Sequence, residues 1–553
     1  MSAPRKNPGS PTPDVSPDEA QRILLEGGLK ARAISHSTGT NGQSVQDKPE
    51  TMIVLPGGKV SITECAKKLF ALIRDALDLF LRGGQVHEII VNPDGSQRLD
   101  PITSSQFRSR LESYARPLVW RVGANGEAVL KPTICPEETA RALLDSEPAR
   151  KLLPHVAALV SSPVLACIGG KMQILGPGWH SSNGGLIVTG GESPPRVPLN
   201  EAVKALCDIL GDFDFQSLGD RSRALALLVA PALRFGSWLK NAIPVHIAEA
   251  DASQSGKTFL QKVVAAIYGE TCNVVVQKAG GVGGLDESLS QKLLDGRPFI
   301  LLDNHRGRFD SPFLEAILTA PGTMPARVPH KAEVQVDTRG LVFQFTSNGV
   351  EITRDLANRA SITRLRKRPP GYAFKEYFEG DLYAHVVANQ PYFLGCVFSI
   401  IAEWVNKGQP RTKETRHDFR EWAQVLDWIV QNIVHAAPLM DGHEDARERV
   451  SDPRRSWVRR LCIALRDAKR SGEFYASQIA EFALENDLPP PGVGPDADET
   501  VAARKIGSAM AAIFREDDEV DIDGFRIHRI HGTSPKTGNP AITYRFEQGE
   551  KAA

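Results

Sequence analysis

From Thr51 onward the chain alternates between two hydrophobic periods, and before Thr51 it shows neither. Residues 1–50 are rich in Pro, Ser, Gly, Thr and Asn, carry one short helical pattern at 17–25, and read as a disordered tail. TMIVL and HEIIV read as strands, and the apolar spacing between them, from 62 to 82, reads as one long amphipathic helix. Residues 51–191 are therefore expected to form an N-terminal α/β domain. Helical patterns at 199–211 and 221–239 then lead into further apolar strands, which predicts a second unit over 192–368. Beyond Pro369 and Pro370 the helical period returns with Trp404, Trp422 and Trp428 on apolar faces, predicting a helical lid or packing region over 369–450. After it, helices at 456–470, 476–486 and 501–515 precede two short strands, FRIHRI and ITYRF, joined by a Gly/Pro turn. Three helices followed by a hairpin outline a winged-helix-like domain over 451–553.

Composition adds few restrictions. The 553 residues suit roughly three to four domains, and 41% hydrophobic with 24% charged residues is the balance of a soluble globular protein. A formal net charge of zero gives the whole chain no electrostatic attraction to nucleic acid or to an anionic membrane, so any such affinity must come from local patches. The longest apolar run, 224–233, contains Pro231 and falls short of the roughly twenty residues that span a bilayer. Arg5 and Lys6 are followed by Pro, Ser, Asp and Gly rather than by an apolar run, which argues against a signal peptide. The seven cysteines are scattered singly with no CxxC pair, as expected of reduced thiols in a cytoplasmic protein.

Candidate chemistry begins at IPVHIAEADASQSGKTFLQKVVAAIYG, where an apolar strand at 243–248 meets a loop ending in Ser255-Gly256-Lys257-Thr258 and then an amphipathic helix. That is the context a phosphate-binding P-loop requires. Ser253, Gln254, Ser255, Gly256, Lys257 and Thr258 would surround the phosphates of ATP with backbone N–H groups and the helix N-terminus. Lys257 would reach the β- and γ-phosphates, and Thr258 would ligate Mg²⁺. Asp251 stands where the motif has its first glycine, and a GK[ST] triplet alone is weak. About 45 residues on, RPFILLDN ends an apolar strand at Asp303, the position of a Walker-B carboxylate beside the metal. GLVFQFTSN then ends at Asn348, an amide placed to orient water or the γ-phosphate, and RDLANRASITRLRKR follows. Arg359 is the candidate arginine finger, while Arg364 and Arg366 fit either phosphate contact or a solvated basic face.

The ordered set SGKT, FILLDN, FTSN and DLANR resembles the ATPase domain of superfamily III and related AAA+ helicases of viruses, phages and integrated elements. The likeness is strongest over 243–366. It extends loosely back to LPHVAALVSSPVL and DFDFQSL, phrases similar to the region before the P-loop in phage and plasmid primase-helicases, and forward to FREWAQVLDWI. The resemblance implies an α/β P-loop core in a homo-oligomeric ring, usually a hexamer. Lys257, Thr258 and Asp303 would act in cis, Asn348 would be the first sensor, and Arg359 would serve the adjacent subunit's site. Asn304 departs from the family, because many AAA+ enzymes carry an acidic general base there and an amide cannot accept the proton. Glu249 and Glu287 are the candidates for that role. The resemblance also implies that TMPARVPHKAEVQVD is a hairpin projecting into a channel, its basic tip at His330 and Lys331 gripping one DNA strand.

Local basic charge gathers in the C-terminal unit at Arg504 and Lys505 on the third helix and at Arg526, His528 and Arg529 on the wing. These residues fit contact with duplex DNA. Glu516 to Glu519 lie between them and would repel phosphate, leaving a subunit or partner interface as the other reading. Asp212 and Asp214 have the spacing of a polymerase metal pair but follow a helical pattern, and read as a packing turn rather than a primase site. His305 reads as a local polar neighbour and not as a ligand. The expected activity is ATP-driven movement on single-stranded DNA by a helicase or helicase-like replication ATPase of a mobile element or phage. A DNA-binding initiator or scaffold switched by ATP, with slow or no hydrolysis, is the alternative, and a P-loop enzyme acting on a small molecule is a weaker third.

Overall fold

Strands Val245–Ala250, Phe299–His305, Val342–Ser347 and Ala360–Arg366 are apolar along most of their length rather than alternating, the pattern of strands covered on both faces. In the computed structural model they form the middle of a six-stranded sheet. The structure describes residues 51–548 except 58, 123–126, 251–252, 276–283, 306–307, 321, 327–333, 349–350, 491–492, 494–497, 516, 523 and 534–537. Sheet order is Asp214–Phe215, Ala360–Arg366, Val245–Ala250, Val342–Ser347, Phe299–His305 and Asn273–Val275. All neighbours run parallel except the short Asp214–Phe215 strand. Such a sheet brings the carboxyl ends of its strands together along one edge, where open α/β folds place their ligands.

Side chains along Val245–Ala250 alternate between two cores. His246 turns to the face covered by helix Lys257–Ile267 and hydrogen-bonds Gln261 of that helix. Val245 and Ile247 turn to the other face, where they join Leu289 and Leu293, Leu314 and Ile317, Leu356, and Ala446 and Val450. Helix Leu218–Phe235 lies on the first face and is buried along nearly its whole length. Its Arg223, 1% exposed, donates to the carbonyls of Ile362, Leu439 and Asp441 and to Asp220 at 2.6–2.9 Å. One guanidinium thus ties the helix, a central strand and the segment before helix His443–Ser451 together.

The N-terminal unit differs from expectation in one element. Helix Ile62–Ala76 stops early at Leu77, whose φ of 52° is left-handed, and Leu79–Arg82 is a strand. That strand pairs antiparallel with Gln85–Val91 across Gly83-Gly84, both at positive φ (57° and 75°). A two-residue turn with both central residues left-handed is the hairpin connection whose twist matches its strands, and glycine adopts it without strain. The hairpin is not isolated: Arg82, 2% exposed, donates to the carbonyls of Val156, Ala157 and Leu293.

Within 369–450 the helices are Leu382–Ala388, Gln390–Asn406, Arg420–Asn432 and His443–Ser451, with Trp404 and Trp422 in the core and Trp428 packed at its margin. The C-terminal unit has helices Pro453–Asp467, Ala476–Glu485 and Glu499–Ile513 around a core built on Trp457. Besides the expected hairpin Phe525–Thr533 and Pro540–Gln548, its sheet contains Glu473–Tyr475 and Glu519–Ile522, which the sequence pattern did not suggest. Among the described residues no single helix is long and apolar enough to cross a membrane.

Candidate active site

Strand Val245–Ala250 delivers the chain to the carboxyl edge of the sheet, and helix Lys257–Ile267 carries it back beneath the first face. Asp251 lies outside the described residues. Gln254 (φ 61°) and Gly256 (φ 88°) are left-handed, so the backbone curls immediately before the helix. At Gly256 a side chain would be pressed at 3.2 Å against the Phe213 ring. Ser253, Gln254 and Ser255 complete this loop, whose last two residues, Gly256 and Lys257, sit at the helix N-terminus. There unpaired N–H groups and the helix dipole favour an anion.

Three neighbouring segments converge on the loop. Lys257, 7% exposed, donates to Oδ1 of Asn348 at 2.6 Å. Thr258 Oγ1 donates to Oδ1 of Asp303 at 2.8 Å, and Thr346 Oγ1 donates to the same oxygen at 2.5 Å. The Thr346 hydroxyl also accepts from the Asn304 N–H at 2.8 Å, where the strand register breaks and Asn304 takes φ 53°. Gln344, Thr346 and Asn348 share one face by strand alternation, and Gln344 reaches the helix through the Gln261 carbonyl at 3.1 Å. A carboxylate beside a threonine hydroxyl at the head of a helix is a hard-oxygen donor set that suits Mg²⁺. The ammonium of Lys257 and the unpartnered Ser255 hydroxyl, in a residue 8% exposed, suit a bound anion.

Glu249 does not join this cluster. It lies three residues from His246 and so faces the opposite side of the sheet, where it forms a buried ion pair with Arg449 of helix His443–Ser451. As a candidate general base it is therefore already committed. Glu287 lies in the first turn of helix Leu285–Leu294, whose Leu289 and Leu293 belong to the core on that same opposite face.

Arg359 stands at the other end of the sheet. It immediately precedes strand Ala360–Arg366, and its carbonyl accepts from the Val245 N–H at 3.1 Å. A six-residue strand separates it from the loop, roughly 20 Å at about 3.3 Å per residue, so it cannot reach a ligand held by its own Lys257. Its guanidinium lies 3.5 Å from Asp355 and 3.4 Å from the Glu315 carbonyl, with the side chain 21% exposed. The next carbonyl, of Ala360, accepts from both His417 and His443 at 3.1 and 3.0 Å. Burial pushes His417 down to about 4 and His443 well below its usual value, so both are neutral donors there.

The basic run after Arg359 is not a solvated face throughout. Arg364 lies against buried Asp220 at 3.8 Å, and Arg366 pairs with Asp214 at 2.8 Å, which gives Asp214 a structural partner rather than a metal. Lys367 does reach the loop: its Nζ donates to Oε1 of Gln254 at 3.2 Å. Motif spacing missed Lys367 and Thr346, although Thr346 could have been found as the residue two before Asn348 on the same strand face. His305 is buried and stacked on Phe345 with ring centroids 5.0 Å apart, and burial lowers its pKa.

A cavity of about 760 Å³ opens beside the loop. Gln254, Ser255, Gly256 and Phe259 form one wall, and residues 367–375 and 381–382 face them with Asp212 and Phe213.

The proposed DNA contacts stand differently. His330 and Lys331 lie outside the described residues, but the flanking strands Thr323–Ala326 and Val334–Asp337 do pair as an antiparallel hairpin. Arg504 and Lys505 are exposed on helix Glu499–Ile513. The wing residues are held by acids of their own sheet: Arg526 by Glu519 at 3.1 Å, Arg529 by Asp518 at 2.5 Å, and His528 between Glu519 and Glu547 at 3.5 Å each.

Neither a family model nor a curated protein matches the chain. Among solved structures, the C-terminal region of NrS-1 is 12% identical with a TM-score of 0.32, covering 85% of this chain and 96% of that one. A protein described as the SCCmec type IV Cch active helicase is 13% identical with a TM-score of 0.28, covering 82% of this chain and 88% of that one. Similarities this low carry no functional weight, and the geometry of the site has to carry it instead.

Proposed function

We propose that residues 192–368 are a P-loop ATPase module of the superfamily III and AAA+ helicase type, and that the chain is an ATP-driven motor or switch on DNA. One observation carries the reading: the 253–258 loop, Asp303, Thr346 and Asn348 are bonded together at the carboxyl edge of a parallel sheet. Lys257 would neutralise the β- and γ-phosphates after exchanging Asn348 for them, and Asn348 would be freed to orient water or the γ-phosphate. Magnesium, held through Thr258 and Asp303, would supply charge neutralisation between the terminal phosphates. Arg359 would complete the site of an adjacent copy, because its own loop is a strand length away.

The placement of Arg359 supports a ring of identical subunits, a hexamer by resemblance, with single-stranded DNA in its channel near the 323–337 hairpin. The C-terminal unit supports a winged-helix reading through its order of helices and strands, with Arg504 and Lys505 facing duplex DNA. A second reading, an initiator or scaffold switched by ATP with slow hydrolysis, is favoured by a specific pair of observations. Asn304 stands where a base would be, and Glu249 is held by Arg449.

Steady-state ATP hydrolysis with Mg²⁺, with and without single-stranded DNA, tests both readings. Hydrolysis stimulated by DNA is expected of the motor. Binding of ATP with negligible turnover either way would favour the switch, and absence of ATP binding would overturn the module.

A further inference from the structure

We propose that the 760 Å³ cavity beside the loop holds the nucleotide base by stacking alone, so that the chain accepts ATP and GTP with little discrimination. The inference rests on the nucleotide reading above and concerns only which base the site takes. The volume falls within the range of small-molecule sites, and the walls are formed largely by Phe213, Phe259, Pro369, Tyr372, Phe374 and Leu382. Such walls supply flat apolar faces against which any purine can lie.

Telling adenine from guanine requires a fixed donor or acceptor at the base edge, because the two purines interchange donor and acceptor there. The polar groups of these walls are already used. Both Asp212 oxygens accept, one from the Tyr372 hydroxyl and one from the Lys375 N–H, each at 3.0 Å. Arg368 donates to the carbonyls of Gly211, Asp212 and Phe213 at 3.0–3.2 Å, which also removes three backbone acceptors, and its guanidinium lies 4.3 Å from the Tyr372 ring centre. Lys367 is bonded to Gln254, and Asp381 caps helix Leu382–Ala388 through the Ala384 N–H at 2.8 Å. The Lys375 ammonium sits over the Tyr377 ring at 4.9 Å. Ser255 Oγ is the one buried side-chain oxygen of the lining without a partner among the described residues. A hydroxyl both donates and accepts by rotation, so it satisfies either purine equally.

A site that hydrogen-bonds a substrate edge rejects the wrong partner by on the order of 10⁴ to 10⁵, whereas apolar pockets separate similar ligands by roughly 10 to 200-fold. The test is Kd for ATP, GTP and CTP with Mg²⁺ by competition, and kcat/KM where turnover allows, on the full chain and on Phe374→Ala. Phe374 is 61% exposed, so its loss leaves the core intact. ATP and GTP are expected to agree within about tenfold, with CTP weaker for its smaller ring. Phe374→Ala should weaken both purines by the same factor. A preference of about a thousandfold or more for one purine, or a Phe374→Ala effect confined to one, overturns base tolerance while leaving the ATPase reading in place. Failure of every triphosphate to bind overturns both.

Discussion

The two ends of the six-stranded sheet are built from the same strands and differ in what they offer a ligand. At the carboxyl end, Lys257, Thr258, Asp303, Thr346 and Asn348 bond to one another, so each polar group is held in place by a partner that an anion and a cation could replace. At the amino end, Arg359 is partly exposed, and the strand beginning after it is pinned by two neutral histidines on the Ala360 carbonyl. A complete phosphoryl-transfer site needs both kinds of end. In a parallel sheet they are a strand length apart in one chain, and they meet only when one copy's amino end faces another's carboxyl end.

The largest effects test this division. Lys257→Ala and Arg359→Ala are each expected to lower ATP turnover by on the order of 10³ or more. The first should also weaken ATP binding and the second should leave it intact. Measuring Kd beside kcat separates them, and equal loss of binding in both would remove the contrast.

Stability changes come next. Arg223→Ala leaves Asp220 buried without its partner and three carbonyls without their donor, so a loss of about 3–5 kcal/mol is expected in denaturant unfolding. A loss below about 1 kcal/mol would mean that the polar staple under the sheet is dispensable.

A pH effect marks the amino end. Glu270 follows the end of helix Lys257–Ile267, accepts from the Ser161 N–H at 2.7 Å, and burial raises its pKa from 4.5 to about 7. The folded chain therefore keeps a proton that the unfolded chain has released. Stability from this group is full below pH 4.5 and is lost as pH rises through about 7. Relative to Glu270→Gln, the native chain should lose about 2–3 kcal/mol between pH 4.5 and 8, and parallel stability curves would contradict the assignment.

The smallest effect belongs to the C-terminal unit, where charge again divides into residues held in-house and residues left exposed. Removing Arg526 and Arg529 should leave the salt dependence of duplex binding unchanged, because Glu519 and Asp518 already neutralise them. Removing Arg504 and Lys505 should lower the log–log slope by about 0.9 for each phosphate that they neutralise. A slope that falls with the wing pair instead would reverse that ranking.

Much of the central sheet was legible because buried parallel strands are apolar runs, which bounded Val245–Ala250, Phe299–His305 and Val342–Ser347 to within a few residues. The N-terminal hairpin was not legible: the apolar spacing of Leu79 to Leu81 continues the helical period, and only Gly83-Gly84 marks the turn. In the site, motif order found the residues that bond at the carboxyl edge. It failed for Glu249, because spacing places a residue near a loop while alternation decides which face it takes. Lys367 was missed because its bond to Gln254 depends on two strands being neighbours, which no local pattern encodes.

The central claim, that one nucleotide site is assembled from opposite sheet ends of two copies, is tested most directly by mixing Lys257→Ala with Arg359→Ala chains and measuring ATP turnover. Each variant alone should be inactive, and mixtures should regain turnover, because some interfaces pair an intact loop from one copy with an intact Arg359 from the other. Mixtures shown to co-assemble yet remaining inactive would contradict it.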